Sequence, residues 1–84
     1  RKFMNKSETL SIIRKLMTEI FPSDTISEDV SELSIGSLKE WDSLGNFNFL
    51  LAIENEFNVR FSMEEIGEIK SVAQIMEFLD SHHA

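Results

Sequence analysis

The sequence predicts an all-α fold: a small four-helix bundle, three longer helices and one short, with a long first loop. Three observations carry this. Apolar residues recur at three- and four-residue spacing near both ends of the chain, helix-capping signals stand at Asp42, Ser62 and Ser71, and the chain is only 84 residues long. With 42% hydrophobic and 27% charged residues, that length buries one modest core and leaves no room for a second folded unit. A single domain over residues 1–84 is therefore expected, with disorder expected only at residues 1–6.

From Ser7 to Phe21, Leu10, Ile13, Leu16, Met17 and Ile20 fall on one helical stripe, and Pro22 stops the helix. Residues 22–41 are rich in Ser, Asp and Glu but also carry Ile26, Val30, Leu33, Ile35, Leu38 and Trp41. A structureless loop of about twenty residues is unusual in a compact domain, so these six residues are expected to pin the connection across the bundle. Asp42 is a good N-cap for a helix over Ser43 to Phe57, and Asn58 offers the stop. Asn46 stands where an apolar partner of Trp41 would be needed, so no hydrophobic staple is expected. Ser62 to Glu65 is a capping box before a short helix that Gly67 weakens, and Ser71 to Gln74 is a second box opening a helix through Leu79. Val72, Ile75, Met76 and Leu79 form the stripe of that last helix.

The 8 basic and 15 acidic residues give a net charge of minus 7, which repels phosphate backbones and anionic lipid headgroups. Nucleic acid is not an expected partner. The charge is uneven, at plus 3 over residues 1–23 and minus 10 over the remainder. No apolar run approaches the roughly 18 to 20 residues of a membrane span, so membrane insertion is not expected either. The absence of Cys removes disulfides, thiolate metal sites and any thiol nucleophile of the chain's own. A soluble, cytoplasmic monomer is the expectation.

On a wheel of about 100° per residue, the helix from Ser43 to Phe57 carries two apolar groups. Phe49, Leu50, Ile53 and Phe57 form one stripe, Leu44, Phe47 and Leu51 form another, and Ser43 lies between them. A surface helix needs one core stripe. The second group is either extra core, covered by the long connection, or an exposed contact patch beside Ser43.

Ser43 itself sits in a first helical turn, where free N–H groups and the positive helix end favour an attached or bound phosphate. Alone, it is equally an ordinary polar first-turn residue. Other chemistries find less support. Ser43 lacks the flanking glycines of a nucleophile elbow, and His82 and His83 fall in a tail expected to fray, which argues against a Ser/His hydrolase and a specific metal site. Glu64, Glu65 and Glu68 do not follow a calcium-binding loop and read as a solvated face. Met17, Met63 and Met76 read as gap-filling core or helix-start residues.

The stretch from Trp41 to Leu79 resembles the acyl carrier protein family. Asp42-Ser43-Leu44 opens a helix that closes fourteen residues later with Leu51-Ala52-Ile53-Glu54-Asn55-Glu56-Phe57, followed by the capped helix with Glu64 and Glu65 and the helix opening at Ser71-Val72. With the leading amphipathic helix, the resemblance covers nearly the whole chain. It implies that a phosphopantetheinyl transferase esterifies Ser43 with 4′-phosphopantetheine from coenzyme A. The arm's thiol would then carry acyl groups as thioesters to acyl-loading and acyl-processing enzymes: a synthase, ligase or acyltransferase of fatty acid or specialised lipid or polyketide-type biosynthesis. The chain would catalyse nothing itself. By the same resemblance, Asp42 helps the transferase recognise the site and the helix from Ser43 is the surface partners read. Leu44, Phe47 and Leu51 then become contacts, and Glu54, Glu64 and Glu65 supply charge. Phe49, Ile53 and Phe57, with Leu10, Ile13 and Ile75, would line the interior if a growing acyl chain were sheltered there.

Departures from the family pattern point to a specialised rather than a housekeeping member. Carriers of primary fatty acid synthesis usually have acidic residues where Gly45, Asn46 and Asn48 stand, and Trp41 is more familiar in dedicated carriers. Peptidyl carriers typically have two glycines and a polar residue before the Ser, unlike Glu40-Trp41-Asp42. Gly45 costs a helix about 1 kcal/mol against Ala, a cost compatible with close approach of an arm or partner. The competing reading is an unmodified helical module that acts only as a protein–protein adaptor. A hydroxyacyl or aminoacyl carrier would differ from a fatty-acyl one in the enzyme that loads it.

Overall fold

The computed structural model describes residues 5–82 and contains four helices: α1 (Lys6–Ile20), α2 (Ser43–Phe57), α3 (Met63–Glu68) and α4 (Val72–His82). Among the described residues the one strand-like feature is an isolated antiparallel bridge between Ser34 and Ser71. The all-α expectation holds, with three longer helices and one short one.

α1 begins one residue before the expected Ser7, because Asn5 and Glu8 form a reciprocal capping box. Of the six residues expected to be disordered, Asn5 is thus the cap and Lys6 the first helical residue, while residues 1–4 lie outside the described residues. Ile13, Leu16 and Met17 bury the stripe, and Phe21, at the C-cap, is buried with them.

The connection over residues 22–41 is pinned as expected. Ile26, Val30 and Trp41 are buried, and Leu33, Ile35 and Leu38 pack partly buried against the same core. Polar clamps that periodicity does not reveal hold its backbone. Arg14 of α1 donates from Nε to the Ser27 carbonyl at 2.7 Å and from Nη2 to the Ile26 carbonyl at 2.8 Å. Asp24 accepts the Lys39 and Glu40 N–H groups at 3.1 and 2.9 Å. Further along, Ile35 donates to the Lys70 carbonyl at 2.8 Å and Val72 to the Leu33 carbonyl at 3.0 Å, tying the connection to the α3–α4 junction.

α2 has the expected bounds. Asn58 ends it in the left-handed conformation, at φ 56° and ψ 49°, which Asn tolerates better than most residues. α3 opens with the Ser62–Glu65 capping box and buries none of its own residues; its flanks Phe61 and Ile69 are buried instead. The second expected box forms only in part. Gln74 donates its N–H to Ser71 Oγ, but its side-chain oxygen accepts from the Lys70 N–H and its side-chain nitrogen donates to the Glu68 carbonyl. α4 runs past Leu79 to His82, so His82 is not in a frayed tail. Its ring stacks on Phe78 with centroids 3.9 Å apart, and its Nδ1 lies 2.8 Å from the Phe78 carbonyl oxygen. His83 lies outside the described residues.

Candidate functional site

The start of α2 is built on a buried aromatic cluster. Trp41 is fully buried, with its ring 5.9 Å from Phe21 and 5.3 Å from Phe49, and Phe21 lies 5.7 Å from Phe49. Aromatic contacts of this kind contribute about 0.5–1.5 kcal/mol each beyond area burial. Directly above this cluster the chain turns outward. Asp42 and Ser43 are both exposed, Asp42 as the N-cap and Ser43 as the first helical residue. Asp42 Oδ1 accepts the Gly45 N–H at 2.8 Å, and its carbonyl accepts the Asn46 N–H at 2.7 Å. The cap thus satisfies part of the first turn while leaving the Ser43 hydroxyl at the surface, next to the positive helix end.

No hydrophobic staple forms at Asn46, as expected, but hydrogen bonds support the helix start there. Asn46 is one of two buried polar residues among the described residues, and it occupies the staple position with hydrogen bonds instead of apolar contact. The Trp41 indole Nε1 donates to Asn46 Oδ1 at 2.9 Å, and Asn46 Nδ2 donates to the Ile69 carbonyl at 2.9 Å. Among the described residues no buried side-chain nitrogen or oxygen lacks a partner, so this amide is fully accommodated. Sequence reasoning missed it because the Ile69 partner lies 23 residues away.

Gly45 is also explained differently from expectation. A Cβ there would collide with the Glu40 carbonyl oxygen and stand 3.1 Å from the Phe21 ring. The close approach that requires glycine is therefore made by the chain's own backbone and core.

The second apolar group of α2 is exposed, so the long connection does not cover it. Leu44, Phe47 and Leu51 leave 69%, 42% and 39% of their surface in water, whereas Phe49, Leu50 and Ile53 on the other side are buried and Phe57 is partly so. Met63, at the first position of α3, is exposed at 87%; it is a helix-start residue and fills no gap. The acidic candidates differ from one another. Glu64 is exposed, but Glu65 is half-buried and engaged in the Ser62 capping box, and Glu54 is half-buried with Oε2 accepting the Phe61 N–H at 2.8 Å. Of the residues named as possible shelter for an acyl chain, Ile13 and Ile75 are fully buried and Leu10 is at the margin.

An exposed primary hydroxyl at a helix N-terminus, beside an apolar strip and in an acidic chain, is chemically suited to bear a phosphoester and to be read by another protein. Among the described residues no group of three or more His, Asp or Glu side chains is arranged to hold a metal ion. No helix there is long and apolar enough to cross a membrane.

The chain is similar to an acyl carrier protein of Thermosynechococcus vestitus, 28% identical over 78 residues that span 93% of this chain and 95% of that protein. No family model matches the chain. No solved structure matches it either.

Proposed function

We propose that this chain is an acyl carrier of specialised biosynthesis, a single domain whose Ser43 bears a covalent 4′-phosphopantetheine arm. The observation that carries the reading is the position of Ser43. Its hydroxyl is exposed at the first residue of α2, immediately after the Asp42 cap and above a rigid buried base. The similarity to an acyl carrier protein along nearly the full length of both chains supports it.

Modification transfers a phosphoryl group. Ser43 Oγ gives up its proton to the transferase and forms the new O–P bond to the β-phosphorus of coenzyme A. The pyrophosphate P–O bond breaks and 3′,5′-ADP leaves. The helix N-terminus stabilises the phosphodiester negative charge by about 0.3–1 kcal/mol. When attached, the arm supplies the thiol that this cysteine-free chain lacks and holds acyl groups as thioesters.

The chain's own residues provide an address. Asp42 marks the site for the transferase, and Leu44, Phe47 and Leu51 offer the apolar contact surface, with Glu64 the most available of the acidic candidates around it. Glu54 and Glu65 add charge while also holding the backbone of residues 61 and 62. Basic docking faces on a transferase, and on loading or processing enzymes in the cytoplasm, would give fast, salt-sensitive encounters without a tight complex.

The test is intact-mass analysis after incubation with coenzyme A and a broad-specificity phosphopantetheinyl transferase, with Ser43→Ala as control. A gain of one arm that the control lacks is expected. No gain with any of several transferases would sink the reading in favour of the unmodified adaptor.

A further inference from the structure

Asp42 and Ser43 lie inside a short loop of chain closed by side-chain hydrogen bonding. Trp41 precedes them, Asn46 follows, and the indole N–H of the first donates to the amide oxygen of the second. The same amide reaches the Ile69 carbonyl at the C-cap of α3. An apolar side chain of this size would fill the space but would leave the buried Trp41 indole N–H and the Ile69 carbonyl without this partner. The amide fixes two separate segments at hydrogen-bond distance, a geometric specification that apolar packing does not impose. Two further features constrain the same turn: the Glu40 carbonyl stands where a Cβ on Gly45 would be, and Asp24 accepts from the Lys39 and Glu40 N–H groups.

We propose that Asn46 is the positioning residue of the Ser43 site: by tying Trp41 to the α3 C-cap it holds Asp42 and Ser43 in the one geometry that a modifying enzyme reads. The proposal rests on the assignment of the arm to Ser43 and adds a residue that touches neither the arm nor the transferase. Its consequence is specific. If release of the amide leaves the turn competent for about a tenth of the time, the apparent affinity of the transferase falls about tenfold. The chemical step, once the turn is bound, is little changed.

The test compares steady-state arm transfer to the wild-type chain, Asn46→Leu, Trp41→Phe and the double variant, each confirmed as folded by far-UV circular dichroism at a temperature well below its melting midpoint. Asn46→Leu is expected to raise KM about tenfold with kcat within about twofold, and Trp41→Phe, which removes only the indole donor, to raise KM less. The double variant is expected to be no worse than Asn46→Leu alone, because the bond that Trp41→Phe removes is already lost when Asn46 is replaced. A residue with a merely structural duty would lower the melting temperature and leave KM untouched. Wild-type KM in the folded variants, or additive effects in the double variant, would overturn the proposal. Should Asn46→Leu not fold, Trp41→Phe decides alone, a raised KM supporting the proposal and an unchanged KM overturning it. A wild-type chain that accepts no arm would instead overturn the underlying assignment of Ser43, and this proposal with it.

Discussion

The two apolar stripes of α2 are built from the same residue types and meet opposite fates. Phe49, Leu50 and Ile53 vanish into the core against α1 and the Trp41 cluster, while Leu44, Phe47 and Leu51 face water a few residues away on the same helix. Hydrophobicity alone does not decide burial; the supply of partners does. The long connection is held down elsewhere, by Arg14, by Asp24 and by its bridge to the α3–α4 junction, and among the described residues nothing covers the outer stripe. An uncovered apolar strip beside an exposed hydroxyl is the surface that the proposed carrier role would offer to partners.

Substitutions that treat the stripes alike sharpen this contrast. The largest effect is expected from the inner side, where Phe49→Ala costs about 3–5 kcal/mol, enough to abolish cooperative melting in a domain this small. Leu51→Ala, on the outer side, is expected to cost under about 1 kcal/mol by the usual tolerance of exposed positions. Equal losses in chemical denaturation would erase the distinction. Next comes Gly45→Ala, which tests whether the base of α2 is as tightly packed as the Glu40 contact implies. The added Cβ is expected to destabilise by about 1–3 kcal/mol, despite a gain of about 1 kcal/mol in helix propensity. A rise in melting temperature would show that the turn yields.

Leu51→Glu should leave helicity and arm attachment intact while slowing acyl delivery to a partner enzyme. Loss of folding would place Leu51 in the core. The smallest effect lies in the long connection, outside α2. Hydrogen bonds from the Ser31 N–H and hydroxyl hold the Asp29 carboxyl below the ordinary aspartate range. A depressed folded-state pKa adds stability above the unfolded value, and that contribution is lost as pH falls through the folded value. Ser31→Ala, which keeps the backbone donor, is expected to return the Asp29 titration only part of the way in an NMR pH series, with neither stripe affected.

Local signals in the sequence were sufficient for most of the fold. Asp42 and Asn58 bound α2 because caps act within a few residues, and the Ser62 box sets the start of α3 for the same reason. The Asn5–Glu8 box at the start of α1 is a signal of the same local kind. The pinned connection was legible from its apolar residues, but its Arg14 and Asp24 clamps were not, since they join positions 12 to 16 residues apart. The duties of Asn46 and Gly45 were hidden likewise: one depends on Ile69 and the other on the Glu40 carbonyl and the Phe21 ring. His82 stays helical through its stacking on Phe78, a contact that terminal fraying rules overlook. For the candidate site, periodicity separated the two stripes of α2 but could not say which would be covered, because the covering segment has no period of its own.

The central claim concerns one oxygen atom, and peptide mapping of the modified protein tests it most directly. After exposure to coenzyme A and a transferase, proteolysis and tandem mass spectrometry should locate a single phosphopantetheine on the peptide containing Ser43, with every other serine unmodified. An arm found on a different serine, or a Ser43 peptide that stays bare under conditions that modify an established carrier, would contradict it.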